Sequence, residues 1–109
     1  MNLLAVFTTV ANAEQADRLA RAAVEQRLAA CAQTEAIHST YRWQGEVASE
    51  PEVRLVFKTT RAHYAALEAL LRELHPYELP AIFALPVAEA SGEYMDWVAA
   101  SLAQNGINL

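Results

Sequence analysis

Four residues between positions 58 and 78 carry side chains that could build a binding site. His75 offers a neutral imidazole, which is a good ligand for copper or zinc. Tyr77 and Glu78 follow it so closely that the three side chains could line one pocket. There the phenol would donate a hydrogen bond, and the carboxylate would accept one from a ligand ammonium or a lysine. Lys58 is the candidate lysine.

Each of these residues also has a structural interpretation. His75 follows a predicted helix, so its imidazole could instead bond to the last helical carbonyls or to the following turn. A structural ion pair between Lys58 and Glu78 is the alternative to ligand binding. The residue types and their spacing leave both interpretations open.

Cys31 and an aromatic cluster offer two further sites. Cys31 is the single cysteine of the chain, so no internal disulfide can form. Its thiolate would suit Cu(I). The alternative is a small buried apolar side chain, which a lone cysteine commonly is. Tyr41, Arg42 and Trp43 could stack against a ligand, although aromatic residues and arginine are also typical of interface cores. His38 and His63 are expected to face solvent.

No pattern typical of catalysis is found in the sequence. It has only three glycines and no Gly-rich phosphate loop, no His-Glu-x-x-His pattern and no hydrolase nucleophile turn. Its acidic residues are spread over polar helix faces, where general acid–base catalysis has no obvious place. We therefore expect that the protein is not an enzyme.

Charge and hydropathy exclude two classes of partner. Lys and Arg number 8 against 13 Asp and Glu, a net charge of −5 at pH 7, which opposes binding to nucleic acid. No apolar run approaches the ~20 residues that cross a bilayer, and the first ten residues do not resemble a signal peptide. We expect a cytoplasmic protein with no membrane partner, and one domain over residues 1–109.

Hydrophobic periodicity predicts seven elements. A polar stretch at 49–52 is predicted to interrupt the second and third strands as a bulge or wide turn. The order predicts an α+β, ferredoxin-like βαββαβ fold with an added C-terminal helix and an antiparallel sheet, its first strand inside and its second at an edge. The predicted elements are strand Leu3–Thr9, helix Ala13–Leu28, strand Cys31–Trp43, strand Val53–Thr60, a helix capped by Thr60 and ended by Pro76, strand Ala81–Val87, and a helix capped by Ser91 and ended by Gly106.

The long hairpin of the second and third predicted strands indicates an oligomer. At ~3.4 Å per residue, the stretch from Cys31 to Trp43 would extend to roughly 44 Å, whereas a compact chain of this length has a radius of gyration near ~13 Å. The hairpin must therefore overhang its own domain. Because an overhanging edge with Tyr41 and Trp43 exposed would recruit other chains, we expect a closed ring of subunits joined by strand pairing.

Several stretches, in this order, resemble the CutA divalent-cation tolerance proteins, from Leu3 to about Leu102. The resemblance implies a trimer with long hairpins swapped around a threefold axis, and an association with copper, as Cu(II), and other divalent ions. It also implies similarity in architecture to the PII signalling proteins, so the alternative function is a sensor that binds a nucleotide or metabolite in the cleft between subunits. The matching stretches are Leu28-Ala29-Ala30-Cys31, Tyr41-Arg42-Trp43-Gln44-Gly45-Glu46, Lys58-Thr59-Thr60, His75-Pro76-Tyr77-Glu78 with Pro80, Leu85-Pro86-Val87, and Tyr94 with Trp97.

The chain also departs from this family. Residues 32–36 stand where relatives usually carry a Pro-Gly. Phe7 and Leu74 occupy positions at which some relatives carry a cysteine and a histidine proposed as copper ligands, so His75 alone of that set is present. The predicted metal ligands are accordingly His75 and Cys31, and the predicted residues of a small-molecule site are Lys58, Tyr77, Glu78 and Trp43.

Overall fold

The chain folds into the seven predicted elements. The computed structural model describes residues 2–103. The elements are β1 (Leu3–Val10), α1 (Ala13–Glu25), β2 (Cys31–Trp43), β3 (Glu46–Thr60), α2 (Arg61–Leu74), β4 (Ile82–Pro86) and α3 (Gly92–Leu102). The strands form one antiparallel sheet in the order β2-β3-β1-β4, which confirms the ferredoxin-like fold with β1 inside and β2 at an edge.

The helices begin at their predicted capping residues. Asn12 Oδ1 accepts a hydrogen bond from the Gln15 backbone N–H at 2.8 Å, and Ser91 Oγ accepts one from the Tyr94 backbone N–H at 3.1 Å. Thr60 occupies the N-cap of α2, but its side chain makes no capping bond there. Two of the three helices thus gain a side-chain acceptor for an N–H group that the helix itself leaves unpaired.

Helix α1 ends at Glu25 rather than at the predicted Leu28. Arg27 has a left-handed φ of 58°, and the backbone N–H groups of Leu28 and Ala29 both donate to the Ala23 carbonyl, at 3.0 and 3.2 Å. This is the kind of bonding that closes a helix C-terminus. Leu28 still packs against the core from outside the helix, which is why its spacing matches the helical period.

The other two helices end for local reasons. Pro76 disfavours helical geometry in the residue before it, and His75 is accordingly extended, with φ −70° and ψ 132°, so that α2 ends at Leu74. Helix α3 ends at Leu102, and the predicted end at Gly106 lies outside the described residues. Within residues 2–103, no helix is long and apolar enough to cross a membrane.

The main core lies between the sheet and helices α1 and α2. A second, smaller cluster holds α3 against the opposite face, because successive side chains of a strand such as β1 point to opposite faces. Burial of these apolar side chains is the dominant favourable contribution to folding. The fully buried side chains of the main core include Val6, Val10, Leu19, Leu55, Phe57, Leu67 and Leu71, and the second cluster consists of Leu3, Ala30, Val98 and Leu102.

Strands β2 and β3 form a hairpin that extends beyond the sheet. They pair from Cys31 opposite Lys58 to Trp43 opposite Glu46, whereas β1 accompanies β3 only as far as Val53. Residues 37–52 therefore have no third strand beside them, and we call this segment the ribbon. The molecule measures 51 × 28 × 20 Å, with a radius of gyration of 15.0 Å, larger than the ~13 Å of a compact chain of this length.

The ribbon contains no bulge. Pairing is one-to-one through residues 49–52, with Pro51 opposite His38, so the predicted interruption is wrong. Inside the ribbon the outer edge of β3 is free, and a proline, which lacks a backbone N–H, is tolerated on such an edge. Gln44 and Gly45 form the tip, with φ of 52° and 83°, as a two-residue hairpin turn requires.

Candidate functional site

His75 lies where α2 ends, packed against the end of β1, and is only 9% exposed. Its Nδ1 accepts a hydrogen bond from the Tyr77 backbone N–H at 3.1 Å, which places the ring proton on Nε2. Nε2 donates to the Thr9 carbonyl at 2.9 Å and lies 3.0 Å from the Thr8 hydroxyl. The imidazole thus bonds to the following turn, as its structural interpretation predicts, and both ring nitrogens are engaged.

Burial sets the charge state of His75. Loss of hydration lowers the pKa of His75 below its ordinary value, and the Thr9 carbonyl and the Glu52 carboxylate act in the opposite direction. Loss of hydration has this effect because it disfavours the charged imidazolium. The neutral ring is the form that the geometry requires, since Nδ1 can accept a hydrogen bond only when it carries no proton.

Tyr77 binds a carboxylate that sequence reasoning missed. Its hydroxyl donates to Glu52 Oε2 at 2.5 Å, and its ring lies 5.0 Å from the imidazole of His75. Burial and the bond to Glu52 raise the pKa of Tyr77 far above its ordinary value, so the phenol remains a donor. Glu52 is 8% exposed, which is rare for a carboxylate. No local pattern marks Glu52, because its partner is 25 residues away along the chain.

Lys58 and Glu78 do not form the ion pair that was the structural alternative to ligand binding. Lys58 Nζ donates instead to Gln33 Oε1 at 3.1 Å, between β3 and β2. Glu78 is exposed, and no hydrogen bond or ion pair joins it to Lys58. The reason is position: the Tyr77–Glu52 bond holds the loop that carries Glu78 near residue 52, and Lys58 lies roughly 20 Å further along β3 at ~3.4 Å per residue.

Cys31 lies on the other side of the sheet from His75. Its half-buried Sγ is 3.9 Å from the Tyr94 hydroxyl of α3, whereas His75 contacts Thr8 on the face that carries α1 and α2. Burial and then the contact with Cys31 raise the pKa of Tyr94. Across residues 2–103, no three His, Cys, Asp or Glu side chains are placed to hold one metal ion. One chain therefore does not combine its two predicted copper ligands.

Trp43 lies at the tip of the ribbon and is 42% exposed, beside an exposed Tyr41. The Tyr41 hydroxyl donates to Glu50 Oε1 at 2.9 Å. Lys58 pairs with Cys31 at the opposite end of the hairpin, about 40 Å from Trp43 at ~3.4 Å per residue. A small-molecule site that used both Lys58 and Trp43 would therefore need two copies of the chain.

The two remaining histidines differ in their surroundings. His38 is exposed, as predicted, and its Nε2 lies 3.0 Å from Ser49 Oγ on the surface of the ribbon. His63 is half-buried rather than solvent-facing, since its Nδ1 lies 2.8 Å from the Thr60 hydroxyl. That contact occupies the Thr60 side chain, which is why Thr60 does not cap α2.

The sheet face that carries α3 is covered only in part. Beyond α3, Phe7 and Phe83 stack with ring centroids 5.3 Å apart, and Phe83 and Leu85 remain 51% and 52% exposed. Large apolar side chains grouped on an open sheet face are typical of an interaction surface. Both edge strands, β2 and β4, also carry unpaired backbone groups on their outer sides, which are available to other strands.

Comparisons with known proteins cover almost the whole chain. Residues 4–101 match the family model described as CutA1 divalent ion tolerance protein. A divalent-cation tolerance protein CutA of Thermus thermophilus is 46% identical over 85% of this chain and 91% of its own length. The protein of the same name from Thermotoga maritima is 41% identical over 92% and 99%. The structure of CutA from Synechococcus elongatus superposes with a TM-score of 0.91 at 43% identity, covering 94% of this chain and 91% of that one.

Proposed function

Because the chain belongs to the CutA1 divalent ion tolerance protein family, we propose that it is a non-catalytic homotrimer that takes part in the response to divalent metal ions. The observation that carries the proposal is the match over residues 4–101, together with relatives named for divalent-cation tolerance. The proposal places the protein in the cytoplasm and names copper as the first ion to test.

A ring of copies would use the surfaces that one chain leaves open. The ribbon exposes Tyr41, Trp43 and Val47, the last at 65%, and the open sheet face exposes Phe83 and Leu85. The free edges belong to two different strands, β2 and β4. If β2 of one copy pairs with β4 of the next copy, the contact is head-to-tail. Such contacts close into a ring when the rotation that relates neighbouring copies divides a full turn evenly.

The mass in solution tests the assembly. One chain weighs 12.0 kDa, so a trimer sediments at about 36 kDa, three times that mass. Double substitution of Trp43 and Val47 by serine at the ribbon tip is expected to weaken the trimer. Serine at the exposed helical position Glu14 is the matched control. A native species of 12.0 kDa at micromolar concentration would contradict the proposal.

Direct copper binding is the second part of the proposal. A copper ion at His75 must replace either the hydrogen bond from the Tyr77 N–H or the one to the Thr9 carbonyl, so we expect weak binding. Calorimetric titration with Cu(II) compares the native protein with His75→Ala and with Cys31→Ser. The expected heat is smaller in at least one variant, and identical negligible heats in all three proteins would remove the direct binding role.

A further inference from the structure

Glu52 is a buried carboxylate with an incomplete set of partners. It is 8% exposed, and its Oε2 accepts the Tyr77 hydroxyl. Within residues 2–103, no other donor bonds to this carboxylate, and no lysine, arginine or histidine forms an ion pair with it. An ionised carboxylate removed from water is strongly disfavoured unless a cation or several donors compensate for its lost hydration. Its second oxygen, Oε1, therefore lacks a partner.

Towards the ribbon tip, the surroundings of Glu52 are negative and aromatic, whereas Arg54, two positions later on the same side of β3, bonds to Glu35. Glu50 lies two positions earlier in β3, on the same side of the strand, and accepts the Tyr41 hydroxyl. The Tyr41–Glu50 and Tyr77–Glu52 hydrogen bonds place the four side chains close together, because the two glutamates are neighbours on one side of β3. Carboxylates bind ammonium and guanidinium groups through charge-assisted hydrogen bonds, and aromatic faces attract the same cations. Tyr41 and Glu50 are exposed, so an incoming group can approach from their side.

We propose that Glu52 Oε1 binds an alkylammonium or guanidinium group that one chain does not supply to itself. Two sources carry this chemistry: a basic side chain of a neighbouring copy, and a free amine. The first source rests on the proposed trimer, and the second does not.

The chain contains candidates for the first source. Arg18, Arg42 and Arg61 have no side-chain hydrogen bond or ion pair in the described part of the chain, unlike Arg21 and Arg54, which bond to Asp17 and Glu35. Arg42 lies on the ribbon, which extends away from its own domain. It is therefore the first arginine to test.

The first experiment measures dissociation of the assembly by sedimentation over a range of protein concentrations. If dilution alone does not dissociate the native assembly, urea is added at one fixed concentration to every sample. Glu52→Gln keeps the shape and an acceptor for Tyr77 but removes the charge, and Glu14→Gln, at an exposed position of α1 away from the site, is the control for the loss of one carboxylate. A cation from a neighbouring copy predicts a dissociation constant at least tenfold higher for Glu52→Gln, and less than about threefold higher for Glu14→Gln. A tenfold change corresponds to about 1.4 kcal/mol.

A double-mutant cycle identifies the partner. Glu52→Gln is combined in turn with Gln at Arg42, Arg18 and Arg61, and the partner is the arginine whose effect disappears once Glu52 is neutral. Arg42→Gln, at an exposed position, also tests the proposal if Glu52→Gln does not fold. Weaker assembly in Glu52→Gln that couples to none of the three arginines contradicts the neighbouring copy as the source.

The second experiment tests a free amine. Thermal unfolding is followed with agmatine and with spermidine, using KCl at the same ionic strength as the control. A saturable rise in the midpoint for the native protein, absent in Glu52→Gln, supports this source. If neither amine raises the unfolding midpoint and Glu52→Gln assembles like the native chain, Glu52 has no function beyond its hydrogen bond to Tyr77, and the inference is wrong. A native 12.0 kDa monomer would contradict the trimer but leave the amine experiment valid.

Discussion

Replacement of Tyr77 by phenylalanine removes one hydroxyl and keeps the ring. In the native structure that hydroxyl donates to Glu52 Oε2 at 2.5 Å, and the ring lies 5.0 Å from His75. The variant therefore isolates the hydrogen bond from the packing of the loop between α2 and β4. The bond also ties this loop to the base of the ribbon, so its loss affects the region where both proposals place their contacts.

The expected loss follows from the burial of Glu52. A hydrogen bond to a charged group contributes about 1.5–3 kcal/mol, and an acceptor left buried without its donor has the full cost of its lost hydration. Glu52 is 8% exposed, so water does not readily replace the phenol. We expect Tyr77→Phe to lower the free energy of unfolding by about 2 kcal/mol per chain.

Urea unfolding at one fixed protein concentration measures this loss, because the stability of an assembly depends on concentration. Arg21→Gln is the control: it also removes a donor that bonds to a carboxylate, Asp17 Oδ2 at 2.9 Å, but both side chains of that pair are exposed on α1, so the loss should be much smaller than in Tyr77→Phe. Equal stability of Tyr77→Phe and the native protein would refute the argument that Glu52 depends on this donor.

Three further predictions concern pH and the core. Folding lowers the pKa of His75 from its ordinary 6.5, so just below pH 6.5 the unfolded chain takes up a proton that the folded chain does not. The free energy of unfolding should therefore fall as pH falls below 6.5, by at most ~1.4 kcal/mol per pH unit. His75→Gln should flatten this dependence in urea titrations between pH 7 and 5.5. Since the pKa of Tyr77 is raised on folding from its ordinary 10.0, stability should fall as pH rises above 10, and the fall should be shallower in Tyr77→Phe. Phe57→Ala, at a fully buried position, should cost about 3–5 kcal/mol in the same assay, whereas Glu73→Ala, at an exposed position of α2, should change the free energy of unfolding by less than about 0.5 kcal/mol.

Local rules account for most of the fold. Asn12, Ser91 and Pro76 set helix boundaries through their nearest neighbours in the chain. The alternation of Val53, Leu55 and Phe57 places one side of β3 in the core. Because each of these effects acts within a few residues, the order of elements and the long hairpin follow from the amino-acid sequence.

The errors in the prediction have non-local causes. Helix α1 stops early because Arg27 adopts a left-handed conformation, and its guanidinium donates to the Ser101 carbonyl of α3 at 2.9 Å, a contact between distant parts of the chain. The polar residues 49–52 continue the strand because β2 supplies a partner for every position. In both cases the departure from the prediction is accompanied by a contact with another segment, which the local pattern does not contain.

The candidate site, like the fold, could be predicted from the sequence only in part. The amino-acid sequence by itself singled out His75 and Tyr77, because their chemistry and their place beside a helix-ending proline are visible in the order of residues. Only the tertiary structure decided that both nitrogens of His75 bond to backbone or hydroxyl groups and that Tyr77 donates to Glu52 rather than acting beside Glu78. A buried carboxylate has no local signature, since its environment is made by chain segments that folding alone brings together.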